Sequence, residues 1–313
     1  MAIKKISKII HISNIHSNEI SCITYLKDKR IATGSLDNSI SIISFNFDNL
    51  VWKIEIYKEN AHEQWIYSLC ELNNNKLASS SEPQDSIKLW LITPIDLVLI
   101  KTLKGHEDTV SCIIPLYNNR FASCSGDSTV KIWENEEPFQ EITSLKHTDS
   151  VWSIFQLKQK QILISSVYSG DYSTRVLCFW DVVVYQQEHL IKGDCAIYPT
   201  HMIELQNGDI AISSNTGGAL IVIINTNKYC VVSKIKLDGY IIHPSSLCLW
   251  ENDSFIYVYK GIIVQISSID YSIISKFKNN DEIYGYNGIA DIEKGKLLGF
   301  VNESFGISIL NFC

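Results

Sequence analysis

The sequence has no apolar run of the roughly 18 to 20 residues that a membrane-spanning helix needs. Its first ten residues contain lysines but lack the apolar region of about 7 to 15 residues and the small-residue cleavage site of a secretory signal. These absences predict an intracellular protein with no membrane insertion. We expect it in the cytoplasm, with the nucleus as the alternative compartment.

Proline and glycine are scarce, at 6 and 15 of 313 residues, and no linker rich in them or in charge divides the chain. A prior of about 150 residues per domain would suggest two domains. However, 46% of the residues are apolar, enough to bury a large core. We therefore predict one domain over residues 1–313.

An excess of basic charge is also missing, because the formal net charge is −7. Phosphate binding needs a basic footprint, so nucleic acid is not expected as a partner. The small cluster of Lys27, Lys29 and Arg30 is interpreted as a solvated turn between strands.

The nine cysteines include no Cys-x-x-Cys pair and share no spacing with the histidines. Cys22, Cys112 and Cys124 fall in predicted strands, where a free cysteine behaves as a small buried hydrophobe. Buried thiols are preferred to disulfide, metal or redox roles. His11 and His16 are not interpreted as metal ligands, and no metal or cofactor is predicted.

What the chain does contain is a unit that recurs at a fixed distance. Its central copy reads Gly105-His106, then Val110-Ser111-Cys112-Ile113-Ile114, then Ala122-Ser123-Cys124-Ser125-Gly126-Asp127, then Val130-Lys131-Ile132-Trp133. Positions equivalent to Ala122 recur every 41 to 48 residues, at Ala32, Ala78, Ala122, Leu163, Ala211, Ile256 and Leu298. A period of this size is typical of propeller blades with four short strands each.

This unit resembles the WD40 repeat. The resemblance implies an all-β fold, a seven-bladed β-propeller. The last repeat has only three strands of its own, whereas residues 3–12 form a strand without a repeat. In WD40 proteins such an N-terminal strand completes the last blade and removes the exposed sheet edges.

In the first four units a histidine lies 17 residues before one fixed position of the second strand. The pairs are His16/Thr33, His62/Ser79, His106/Ser123 and His147/Ile164. A tryptophan in the third strand appears at Trp90, Trp133 and Trp180. In the last three units the histidine position is taken by Cys195, Tyr240 and Glu282.

His106, Ser123 and Asp127 have the residue types of a catalytic triad. The set repeats as His16, Thr33 and Asp37, whereas an enzyme needs a single site. The resemblance instead implies a hydrogen-bonded network that rigidifies each blade. We therefore predict no enzyme activity and structural roles for the following residues: His16, Asp37, His62, Trp90, His106, Ser123, Asp127, Trp133, His147 and Trp180.

The resemblance also implies that residues at the start of each first strand line one rim, the top face, where partners commonly dock. Aligned positions place five aromatic or imidazole side chains there: Trp65, Tyr67, Trp152, Tyr198 and His243. The fourth unit has six extra residues in a loop that contains Tyr168 and Tyr172, and such insertions often lie on a binding face. Packing between neighbouring blades is the alternative role for these aromatics.

The sequence thus predicts a non-enzymatic scaffold that binds peptide or protein partners, within a larger complex, on the top face. One alternative is a substrate receptor of a ubiquitin ligase, but the arginine of that signature is missing from Trp180-Asp181-Val182-Val183. Another alternative is a propeller enzyme acting at the channel mouth, for which the sequence offers no unrepeated cluster of carboxylates or metal ligands.

Overall fold

The computed structural model describes most of the chain. The described residues are 6–46, 49, 51–82, 87–158, 160–168, 175–192, 199–214, 219–237, 246–250, 253–259, 262–278, 285–293, 296–301 and 306–312. These residues form 28 β-strands, numbered along the chain, in seven antiparallel sheets of four strands each. No helix with the length and hydropathy of a membrane span occurs among them.

The chain divides into two compact units. Residues 15–196 form the four-sheet unit, and residues 1–14 with 197–313 form the three-sheet unit. That residues 1–313 make up a single domain stays a prediction.

The four-sheet unit contains sheets β2–β5, β6–β9, β10–β13 and β14–β17. Its strands are β2 (Ile20–Tyr25), β3 (Ile31–Ser35), β4 (Ile40–Asn46), β5 (Val51–Lys58), β6 (Ser68–Leu72), β7 (Lys76–Ser80), β8 (Ile87–Ile92), β9 (Leu97–Leu103), β10 (Val110–Leu116), β11 (Arg120–Ser125), β12 (Thr129–Glu134), β13 (Glu141–Lys146), β14 (Val151–Gln156), β15 (Ile162–Tyr168), β16 (Arg175–Asp181) and β17 (Gln186–Lys192).

The three-sheet unit contains sheets β18–β21 and β22–β25 and a sheet of order β1-β28-β27-β26. Its strands are β1 (Ile6–Ile12), β18 (Pro199–Glu204), β19 (Ile210–Ser214), β20 (Ala219–Asn225), β21 (Cys230–Leu237), β22 (Ser246–Trp250), β23 (Ser254–Tyr259), β24 (Ile262–Ser267), β25 (Ile273–Lys278), β26 (Gly285–Glu293), β27 (Lys296–Val301) and β28 (Gly306–Phe312).

The predicted count of seven blades is corrected to six. A blade here means a sheet whose four strands are consecutive in the chain, and six sheets meet that definition. The seventh sheet is composite, because only three strands follow β25 and the fourth comes from the N-terminal segment. Apart from Ile12 and Ile307, its side chains lie outside the described residues. The predicted pairing of the N-terminal strand is confirmed, with Ile12 opposite Ile307 and Ile9 opposite Leu310.

The core lies between neighbouring sheets. The second strands β3 and β7 are buried at every position, because both faces of each are covered. The outer strand β21 instead alternates between exposed residues and residues that are partly or fully buried. In the layer between the β6–β9 and β10–β13 sheets, Leu89, Phe121 and Trp133 are buried together. Within each unit, the buried clusters therefore place apolar residues between adjacent blades.

Tight turns connect several of the described strands. Asn118 and Asn119, between β10 and β11, both have positive φ angles of 67° and 57°. Asparagine tolerates this conformation, and hairpins with two positive-φ residues match the twist of the flanking strands. Gly208, in the Gly-Asp turn predicted before β19, has φ of 82°.

Candidate functional site

The starts of the first strands are hydrogen-bonded to the neighbouring blade. The Ile66 N–H donates to the Ser35 carbonyl over 3.3 Å, and the Val110 N–H donates to the Ser81 carbonyl over 3.1 Å. The Ser111 hydroxyl donates to the Val151 carbonyl over 3.1 Å. We call this end of the four-sheet unit the top face: the starts of β2, β6, β10 and β14 and the loops that precede them.

Two tryptophans are exposed on the top face. Trp65 precedes β6 and is 47% exposed, and Trp152 in β14 is 44% exposed. Tyr67 is partly buried, and its hydroxyl donates to Glu82 Oε1 over 3.4 Å. Burial and the nearby Glu82 carboxylate raise the pKa of Tyr67. The described part of this face thus combines large apolar surface with acidic groups.

Other predicted binding residues cannot be placed on that face. Tyr172, Tyr198 and His243 lie outside the described residues. Tyr168 is the last residue of β15, and its side chain lies outside the described part of the chain. Their binding roles stay predictions.

The His106 network runs through the interior of the third blade. The Trp133 indole N–H donates to Ser123 Oγ over 2.8 Å, and Ser123 Oγ lies 2.7 Å from His106 Nε2. His106 Nδ1 lies 2.7 Å from Asp127 Oδ2, which also accepts from the Glu107 N–H over 3.0 Å. Each group is satisfied when the Ser123 hydroxyl donates to Nε2 and the Nδ1–H donates to Asp127. This hydrogen-bonded network ties the loop before β10 to strands β11 and β12.

The Asp127 carboxyl is held ionised by these contacts. Burial raises its pKa, but the hydrogen bonds of His106 and Thr129 outweigh that effect and hold the pKa well below its usual value. Asp37 in the first blade behaves in the same way, through His16 and Ser39.

The first and second blades repeat the arrangement with local differences. In the second, Ser79 Oγ accepts from the Trp90 indole over 2.8 Å and lies 2.6 Å from His62 Nε2. The first blade has Thr33 beside His16, with 2.8 Å between Oγ1 and Nε2, and isoleucine instead of tryptophan in the third strand, where Ile43 pairs with Ile31.

In the fourth blade the partner of His147 differs from the prediction. His147 Nε2 lies 2.7 Å from Ser165 Oγ, so the spacing is 18 residues and the partner is Ser165, not Ile164. Ser165 also accepts from the Trp180 indole over 3.0 Å. The hairpin between β14 and β15 is one residue longer, since Val151 pairs with Val167 whereas Val110 pairs with Ser125.

This shift also corrects the length of the inserted loop. The serine and tryptophan of the network are 15 residues apart in the fourth blade and 10 in the third. The insertion is therefore five residues, not six.

Histidine 147 is held neutral. Burial lowers its pKa to about 4, although the hydrogen bond from Nδ1–H to the Leu145 carbonyl, 3.0 Å long, acts in the opposite direction. No carboxylate is among the partners that the structure gives this ring.

Sequence reasoning missed two polar clusters in the three-sheet unit. His201 Nδ1 accepts from the Leu247 N–H over 3.0 Å and so joins β18 to β22. Asp209 accepts from the Tyr271 hydroxyl over 2.6 Å and from the Asn225 amide over 2.8 Å. The contact between Tyr271 and Asp209 joins residues 62 positions apart, outside the repeat spacing. The His201 contact has a counterpart in the second blade, where Ser68 Oγ accepts from the Ile113 N–H over 3.1 Å.

Nothing in the described residues forms a group of three or more histidine, cysteine, aspartate or glutamate side chains able to hold a metal. The triad-like groups are also inaccessible, because Ser123 has no exposed surface and its hydroxyl already serves two partners. A nucleophile would need both a free lone pair and room for substrate.

Comparison with known proteins begins with the repeat. Residues 7–44 and 97–134 match the family described as WD40: WD domain, G-beta repeat. Among solved structures, the WD40 β-propeller domain of Doa1 superposes with a TM-score of 0.73 at 15% identity, covering 98% of this chain and 96% of that one. At that identity the likeness concerns the fold alone.

Curated relatives match part of the chain. Nuclear distribution protein PAC1 of Komagataella phaffii is 28% identical over 160 residues, which is 47% of this chain and 31% of PAC1. Ubiquitin homeostasis protein lub1 of Schizosaccharomyces pombe is 32% identical over 107 residues, 34% of this chain and 14% of lub1. Human DDB1- and CUL4-associated factor 10 is 30% identical over 106 residues, 33% of this chain and 18% of that protein. The chain thus spans less than a third of each of these relatives.

Proposed function

We propose that this chain, in which residues 7–44 and 97–134 match the WD40 repeat family, is a non-enzymatic scaffold that binds peptide or protein partners on its top face. The observation that carries this proposal is the pair of exposed tryptophans there, Trp65 and Trp152. An exposed tryptophan contributes much binding free energy when a partner covers it, because it buries a large area with few rotatable bonds. Tyr67 adds a third aromatic beside Trp65.

The charge around these aromatics supports a basic or mixed peptide as the partner. Four exposed acidic residues precede the first strands of the first three blades: Glu19, Glu63, Glu107 and Asp108. Glu82 lies beside Tyr67. A face with this sign attracts lysine and arginine side chains and disfavours acidic ones. Cytoplasmic localisation and assembly into a larger complex stay predictions from the sequence.

A second candidate is a substrate receptor of a ubiquitin ligase. It is favoured by the similarity to DDB1- and CUL4-associated factor 10 and to the ubiquitin homeostasis protein lub1. Val183 argues against this candidate, because it replaces the arginine of the ligase signature at a position that is 55% exposed. Recovery of a ligase adaptor with the intact chain would favour this function, and its absence from all recovered complexes would oppose it.

The test of the scaffold is affinity purification of the intact chain, with identification of the proteins that co-purify. Trp152→Ala and Trp65→Ala should lower recovery of specific partners while the melting temperature stays within a few degrees of the parent. Tyr117→Ala is the matched control, because Tyr117 is also 47% exposed but lies in the turn at the opposite end of β10. Equal loss of partners in all three variants, or no loss in any of them, would contradict the assignment of the binding site to the top face.

Glu136 is unsuitable as a control despite its place in a turn. Its carboxylate lies 3.3 Å from Lys76 Nζ and accepts from the amides of Asn74 and Asn119. Removing it would leave the buried Lys76 ammonium without an ionic partner and so perturb folding.

A further inference from the structure

Two cysteines of the third blade lie directly opposite each other. Cys112 in β10 pairs with Cys124 in β11 in the antiparallel register. Opposed residues of such strands have Cα atoms about 4.5 to 5.5 Å apart, within the range of about 4.4 to 6.8 Å that a disulfide spans. The two thiols are hydrogen-bonded to each other and are both free.

The first blade shows where a thiol at this position points. Cys22 follows the same kind of strand irregularity as Cys112, and it lies opposite Gly34. A Cβ atom added to Gly34 would lie 2.7 Å from Cys22 Sγ. The register therefore directs the thiol of the first strand at the Cβ of the second, and in the third blade that Cβ carries another thiol.

The two sulfurs differ in accessibility and in acidity. Cys112 is partly exposed, whereas Cys124 has no exposed surface. The hydrogen bond with Cys124 lowers the pKa of Cys112, and burial raises the pKa of Cys124 well above its usual value. Because the thiolate is the reactive form, Cys112 is the first to react.

We propose that Cys112 and Cys124 form an intrachain disulfide when the folded protein meets a two-electron oxidant such as hydrogen peroxide. The Cys112 thiolate attacks one peroxide oxygen, the O–O bond breaks, and the leaving hydroxide takes up a proton to form water. Cys112 is then a sulfenic acid. The Cys124 sulfur attacks the Cys112 sulfur, the S–O bond breaks, and the departing hydroxide takes the Cys124 proton. Two thiols and one peroxide thus give one disulfide and two waters.

This inference revises the sequence interpretation for one pair of cysteines only. For Cys22, burial raises the pKa to about 12, so that thiol stays protonated and unreactive. Burial also raises the pKa of Cys70. The partly buried Cys22 and the buried Cys70 serve as internal controls, and the exposed Cys230 reports that peroxide has reached the protein.

The experiment treats the intact folded chain with graded hydrogen peroxide, blocks remaining thiols with N-ethylmaleimide in denaturant, and digests with trypsin without reduction. Cleavage after Lys104, Arg120 and Lys131 separates the two cysteines onto peptides 105–120 and 121–131, each with a single cysteine. We expect these peptides to appear joined in the mass spectrum, two hydrogens lighter than their sum, and to separate on reduction. Cys22 and Cys70 should carry the maleimide.

Two variants and one control variant test the assignment. Cys112→Ser and Cys124→Ser should each abolish the joined peptide, and Cys22→Ser should leave it unchanged. The proposal is overturned if Cys112 and Cys124 both remain alkylated after Cys230 has been fully oxidised. It is equally overturned if Cys112 links to Cys22 or Cys70 instead, or if the joined peptide forms only after the protein has been unfolded.

Discussion

Replacing Ser123 with alanine tests whether the buried network supports the blade. The Ser123 hydroxyl accepts from the Trp133 indole over 2.8 Å and lies 2.7 Å from His106 Nε2, in a position without solvent access. Alanine fills nearly the same space but leaves the indole N–H and the imidazole nitrogen without their partner. A buried polar group left unsatisfied costs about 1 to 3 kcal/mol. Two such groups predict a loss of about 2 to 6 kcal/mol, out of a typical total of about 5 to 15 kcal/mol.

Ser41→Ala is the matched control. Ser41 is equally buried, but its hydroxyl makes one long hydrogen bond of 3.4 Å to the Ile56 carbonyl. Its loss should cost about 1 kcal/mol or less. The free energies of unfolding are obtained from urea denaturation followed by tryptophan fluorescence and by far-UV circular dichroism.

The double variant Ser123→Ala with Trp133→Phe separates the hydrogen bond from packing. Phenylalanine lacks the indole N–H, so removing the serine from this variant leaves one polar group fewer without a partner. The loss of unfolding free energy in the double variant should therefore be smaller than the sum of the two single losses by about 1 to 3 kcal/mol. An unfolding free energy for Ser123→Ala within about 0.5 kcal/mol of the Ser41→Ala control would refute the structural role of the network.

Three further predictions concern other parts of the fold. Trp133→Ala removes a buried aromatic and should cost about 3 to 5 kcal/mol without selective loss of any partner, as measured by denaturation and co-purification; normal folding with loss of one partner would contradict its structural role. Deleting residues 1–12 removes β1 and bares the edge of β28, so the truncated chain should aggregate or melt well below the parent, and an unchanged melting temperature with monomeric behaviour would contradict the closure. His147 has a folded pKa of about 4, below its ordinary 6.5, so its contribution to stability is complete above about pH 6.5 and is lost as the pH falls toward 4, with a slope of up to about 1.4 kcal/mol per pH unit. His147→Gln should flatten the melting temperature between pH 7 and 5 relative to the parent, and an identical pH profile would contradict the assignment.

Repetition decided which parts of the structure the sequence could predict. The strands and the serine partners of His62 and His106 follow from residue types at a fixed spacing, because each blade solves the same packing problem. The spacing of 17 residues does not hold at His147, because one added residue in the β14–β15 hairpin shifts the register, and periodicity carries no signal for a local insertion. The number of blades was wrong because strand counting alone treated the composite sheet as a blade of its own.

Contacts between blades were beyond the reach of the sequence. Glu136 pairs with Lys76, 60 positions earlier in the chain, a separation outside the repeat spacing of 41 to 48 residues. The opposition of Cys112 and Cys124 depends on strand register, which one extra or missing turn residue would change. Exposure of Trp65 and Trp152 likewise depends on how the loops before β6 and β14 lie against the neighbouring blade.

The affinity of a purified partner for the double variant Trp152→Ala with Tyr67→Ala tests the proposed binding face most directly. Each good aromatic anchor contributes about 2 kcal/mol or more, so truncating one should weaken binding roughly thirtyfold and truncating both should weaken it further. Tyr117→Ala should bind like the parent, and all variants should keep near-parental melting temperatures. Full retention of affinity by the double variant would move the functional surface away from the top face, and unfolding of either single variant would show that its aromatic side chain belongs to the core.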